Sequence, residues 1–90
     1  MPSPPNDADR AQARRFAEEL AREIAAIDHR LGLFQTRLAR LEKSRETLQV
    51  RRVQRQVSAL LNERATLLGM YQQLHSRFRL DSGDPATGQD

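Results

Sequence analysis

The apolar positions of this chain mirror one another about a point between Arg45 and Glu46. Counting back from Leu41, residues of core type fall at Leu38, Phe34, Leu31, Ile27, Ile24, Leu20, Ala17 and Ala13, in steps of three and four. Counting forward from Val50, the same steps give Val53, Val57, Leu60, Arg64, Leu67, Tyr71, Leu74 and Phe78. Such steps keep residues on one face of a helix, so each half predicts an amphipathic helix. Matching positions always sum to 91, as for Leu41 with Val50 and Ala13 with Phe78. Two helices folded back on one another need this relation, because every layer of their seam takes one residue from either arm.

Heptad frames sharpen the reading. With Ala17, Ile24, Leu31 and Leu38 at position a, residues Leu20, Ile27, Phe34 and Leu41 fall at d. The second frame has Val50, Val57, Arg64, Tyr71 and Phe78 at a, and Val53, Leu60, Leu67 and Leu74 at d. The frames are offset by five residues, which on one continuous helix rotates the apolar stripe by roughly 140°. A continuous helix in a parallel coiled coil would therefore turn its seam away from its partner halfway along. A chain reversal removes the conflict, although the turn it requires contains neither glycine nor proline.

The fold expected is all-α, an antiparallel two-helix hairpin of coiled-coil type. Helix 1 is placed at residues 10–43, a turn at 44–47 and helix 2 at 48–80. Asp7 or Asp9 is the expected N-cap of the first helix, and Ser44 or Thr47 that of the second. Residues 1–9 and 81–90 hold all four prolines and no aromatic or branched apolar residue, and are expected to be disordered tails. A two-helix seam buries one face of each arm, a small core for the backbone entropy it must offset. Self-association into a dimeric four-helix bundle is the expected remedy.

Apolar residues outside the seam point the same way. Phe16 and Met70 fall at g positions, and Leu61 and Leu68 at e positions, widening the stripe as in helices with more than one neighbour. These four are the candidate protein interface. Gly32 and Gly69 lie at outer positions, where each costs about 1 kcal/mol relative to alanine. Arg64 is the one strongly polar seam residue, opposite Ile27, with Asp28 or another flanking carboxylate within reach of its guanidinium. It is a candidate register-setting polar layer. Arg30 and Glu63 occupy facing g positions as a candidate ion pair.

Charge gathers at the turn. Arg37, Arg40, Lys43, Arg45, Arg51, Arg52 and Arg55 stand there against Glu42 and Glu46. That tip is a candidate site for phosphate groups or nucleic acid, without interleaved aromatic rings for base stacking. The net charge of +3 alone does not imply such a partner. Lys43 is the single lysine, an arginine bias that a GC-rich, bacterial-like coding sequence also produces.

Catalytic chemistry finds no foothold in the sequence. There is no cysteine, glycine-rich phosphate loop or nucleophile elbow. His29 and His75 sit in different layers without a ligand cluster, so neither a metal nor a cofactor is expected. Residues 20–43 superficially resemble the opening helix of all-helical chorismate mutases. Arg22 and Asp28 lie one residue closer together than that family's pattern requires, and Ala39 stands near its later arginine, so its active site does not carry over. No stretch has the length of a membrane span and the N-terminus lacks the pattern of a signal peptide, which makes the cytoplasm the default expectation. The function expected is that of a non-enzymatic coiled-coil adaptor or assembly factor, acting as a homodimer or on a helical partner. The alternative is a nucleic-acid or phosphate-binding module using the basic tip.

Overall fold

A computed structural model describes residues 7–80 of the chain. It contains two helices, α1 (Asp7–Lys43) and α2 (Thr47–Phe78), and no strand among the described residues. The helices pack against one another as a hairpin. At 1.5 Å per residue the arms are about 55 and 48 Å long. The expected disorder of residues 1–6 and 81–90 lies outside the described residues.

The seam runs where the periodicity places it. All nine positions from Ala13 to Leu41 and all nine from Val50 to Phe78 are buried or half-buried. Two clusters form the core. In the middle of the hairpin Ile27, Leu31 and Leu60 pack with Phe34, Val57 and Leu67. At the open end Ala13, Ala17 and Leu80 pack with Tyr71, Leu74 and Phe78. There the small side chains of α1 pack against the large ones of α2.

The reversal is built from backbone hydrogen bonds. Glu46 N–H donates to Leu41 O at 3.1 Å, and Arg45 N–H donates to Glu42 O at 3.1 Å. These two bonds form a Schellman motif, with Arg45 in the left-handed conformation at φ 60°. Glycine is the usual occupant of that position because it has no Cβ to crowd the carbonyl. Arg45 takes it here, so the missing glycine does not prevent the turn. The expected cap of α2 is corrected: Glu46 is the N-cap and its side chain makes no capping bond. Ser44 Oγ donates instead to Arg40 O at 3.0 Å, and Thr47 is already helical.

Both helix ends also differ from expectation. Helix α1 begins at Asp7, three residues earlier than 10, so Asp7 and Asp9 lie in its first turn. Their carboxylates stand near the positive end of the helix dipole. Helix α2 stops at Phe78, two residues short of 80, because Arg79 adopts the left-handed conformation at φ 53°. The chain then folds Leu80 back onto Ala13 and Ala17, where it is 8% exposed. An apolar residue just beyond a left-handed cap commonly closes a helix end in this way.

Candidate functional site

Heptad geometry divides the outer surface into two flanks. Positions e and b lie on one side of the seam, and g and c on the other. In an antiparallel pair the e side of one arm adjoins the e side of the other. The surface grooves agree with this division. One on the e side at the open end is bounded by Arg14, Ala21, Tyr71, His75 and Leu80. Another on the e side, at the turn, is bounded by Glu42, Arg45, Glu46, Arg51 and Gln54. On the opposite side a groove is bounded by Phe16, Leu74, Arg77 and Phe78.

This division corrects the expectation that Phe16, Leu61, Leu68 and Met70 form one surface. Leu61 (51% exposed) and half-buried Leu68 stand on the e side, whereas Phe16 (42% exposed) and Met70 (38% exposed) stand on the g side. Positions e and g are roughly 160° apart around a helix, too far for one flat partner to cover. Leu33 and Leu48 are exposed as well, at outer positions and apart from one another. Singly scattered apolar side chains of that kind are ordinary surface.

The flanks differ in charge. Between their two ends, the e side carries Ala21, Ala25, Asp28, Gly32, Gln35 and Ala39 on α1, and Gln54, Ser58, Leu61, Ala65, Leu68 and Gln72 on α2. Asp28 is the only ionised residue in that set. The g side carries Glu19, Glu23, Arg30, Arg37, Arg40, Arg52, Glu63 and Arg77. Arg30 and Glu63 do not form the expected ion pair, since the one formed among the described residues between the arms joins Arg64 to Asp28.

That pair is two-pronged. Arg64 Nε donates to Asp28 Oδ1 at 2.6 Å, and Nη2 donates to Oδ2 at 3.2 Å. The parallel bonds match the fork of the guanidinium to the carboxylate. They hold the Asp28 carboxyl below its ordinary range, chiefly through the hydrogen bond and further through the charge of Arg64, against some desolvation. The same bond raises Arg64. Its charge is therefore matched across the arms, and the seam gains a polar layer without an unpaired cation.

At the tip, the seven cations from Arg37 to Arg55 outweigh two carboxylates, a net of +5 in a chain of net +3. All seven are exposed, and none makes an ion pair among the described residues. Glu42 and Glu46 both border the e-side groove beside Arg45 and Arg51. Arg37, Arg40 and Arg52 occupy the g side, and Lys43 and Arg55 the outer face, with no carboxylate among them. The tip is thus charge-balanced on one side and purely basic on the other.

The histidines stay apart. His29 is exposed, while the half-buried ring of His75 lies 4.3 Å from that of Tyr71. No group of three or more metal-ligating side chains occurs among the described residues. Among the described residues no helix is long and apolar enough to cross a membrane. Comparison with known protein families, with curated proteins and with solved structures gives no match.

Proposed function

We propose that this chain is a non-enzymatic assembly module that pairs with a second copy of itself through the e-side flank. The carrying observation is the contrast between the flanks over the middle half of the rod. Within residues 21–39 and 54–72 the g side holds Glu23, Arg30, Arg37 and Glu63, none in an ion pair among the described residues, whereas the e side holds Asp28 alone, matched by Arg64. Docking the charged flank would strip water from those groups, a cost absent on the Leu61 side. Burying Leu61 and Leu68 adds the hydrophobic gain that a two-helix seam lacks. The test is molar mass in solution for the wild type and for Leu61→Glu with Leu68→Glu. A wild-type dimer and a helical, monomeric variant support the reading. A wild-type monomer at every concentration overturns it.

The one-sided basic tip favours a second reading, in which Arg37, Arg40 and Arg52 hold phosphates of a nucleic acid. Its test is the salt dependence of binding to nonspecific RNA or DNA. Replacing the three with glutamine should weaken binding and flatten the slope by about 0.9 for each DNA phosphate no longer neutralised. Unchanged binding removes this role from the tip.

A further inference from the structure

Resting on the self-pairing proposed above, we infer that the second copy lies antiparallel to the first, with a two-fold axis crossing α2 near the level of Arg64. In that arrangement the basic tips point in opposite directions.

Charge decides the orientation. Residues 37–55 carry +5, and the other residues of the chain together carry −2. In a parallel pair two tips of +5 lie side by side, and like charges at that separation repel. An antiparallel pair sets each tip beside the partner's open half, where Asp7, Asp9, Glu18, Glu19 and Glu23 are interleaved with Arg10, Arg14, Arg15, Arg22, Arg77 and Arg79, so that the described residues outside the tip carry a net of only +1. The long-range field thus opposes the parallel orientation far more than the antiparallel one.

The flank itself is laid out for the same orientation. Its uncharged stretch is centred near the Asp28–Arg64 pair and bounded by charge at both ends. Arg14 and Glu18 stand at the open end, and Glu42 and Arg51 at the tip. An axis at that level superimposes the uncharged stretches of α2 on one another and overlaps those of α1 in part. It brings Leu61 and Leu68 of one copy level with Leu68 and Leu61 of the other, since both are equally far from Arg64 to within one residue. It also brings Arg14 level, to within one residue, with the partner's Ala39, about one helical turn from Glu42. Each residue then meets its counterpart's partner twice, as a closed two-fold interface requires. Arg64 enters the interface already neutralised by Asp28.

A spin label at Leu48→Cys reads the orientation directly. The chain has no cysteine, so the label takes one position. Leu48 is 78% exposed near the tip, on the outer face. With the axis at Arg64, two labels are about 48 Å apart along the rod, at 1.5 Å per residue for each copy. In a parallel pair they sit at one level, separated by the bundle's width of about 25 Å, two helix spacings on the diagonal plus the labels. A dimer with the long distance, abolished in Leu61→Glu with Leu68→Glu, is the result expected. A dimer with the short distance overturns the antiparallel arrangement and leaves flank pairing standing. A dimer that survives both substitutions overturns the choice of flank, and a monomer overturns self-pairing itself.

Discussion

Asp28 and Arg64, thirty-six residues apart in sequence, meet across the hairpin through two parallel hydrogen bonds of 2.6 and 3.2 Å. Arg64 stands in the layer of Ile27, where the pattern calls for an apolar side chain, and Asp28 supplies the charge that lets it remain there. The carboxyl's lowered pKa gives this pair a pH signature. A carboxylate whose pKa is depressed on folding stabilises the fold above its ordinary value, 3.8 for Asp28, and loses that contribution as pH falls through the lowered one. Melting temperature should therefore decline below about pH 4 by an increment that Asp28→Asn lacks. With the side chains 34% and 49% exposed, solvent screens the pair. The increment should be small and shrink in salt. An unchanged acid limb in Asp28→Asn would exclude a contribution from the pair.

The pair also separates stability from register. Arg64→Leu restores an apolar layer opposite Ile27 and should raise the melting temperature, because a well-packed leucine needs no desolvated partner. The same change should admit alternative pairings of the arms, seen as broadened distances between labels on opposite arms. Sharper distances in Arg64→Leu would show that the polar layer does not set register.

The turn offers a gain in stability. Arg45 occupies a left-handed position where a Cβ is crowded, so Arg45→Gly should stabilise the hairpin by about 0.5 to 1 kcal/mol despite glycine's freer unfolded state. Glu46 begins α2 without a capping bond. Glu46→Ser supplies one and should add about 0.5 to 1 kcal/mol. Urea unfolding of the two variants checks both values. A destabilised Arg45→Gly would mean that its side chain contributes more than its backbone costs.

Much of this fold is legible in the spacing of apolar residues. The seam, its layers and the position of the reversal follow from a period, and a period survives in sequence because every turn of helix repeats it. The turn's conformation is less legible, since Arg45 takes a backbone state normally signalled by glycine, and hydrogen bonds at Leu41 and Glu42 decide it. Leu80 falls at an outer position, c, if α2 is extended to residue 80. Only the left-handed Arg79 turns it inward instead. The candidate surfaces are legible in part: residue type marks Phe16, Leu61, Leu68 and Met70 as surplus to the seam, and their e and g positions already divide them between two flanks, whereas how exposed each is depends on the packed arms.

Leu80 gives a direct measure of that closing contact. It is 8% exposed against Ala13 and Ala17, so Leu80→Ala should cost about 2 kcal/mol, the low end for a buried leucine. Leu33→Ala, at a position 60% exposed, should change stability little. Hydrogen exchange should locate the effect, with the last turn of α2 and the first turns of α1 losing protection together. Equal unfolding curves for the two variants would show that the fold-back is not part of the stable core.

The contrast between the flanks can be tested with one residue type on one helix. Ala65 lies on the e side between Leu61 and Leu68, and Ala59 lies on the g side. Both are exposed and in the body of α2. Arginine forms helix nearly as well as alanine, so neither Ala65→Arg nor Ala59→Arg should alter helicity. If copies pair through the e side, Ala65→Arg places an unmatched cation in the interface from each copy. Association should then weaken by tenfold or more, about 1.4 kcal/mol at the least. Ala59→Arg joins a flank already charged and should leave association unchanged. Sedimentation across a concentration series reads both constants. Equal weakening by the two substitutions, or a larger loss in Ala59→Arg, would move the interface off the Leu61 flank.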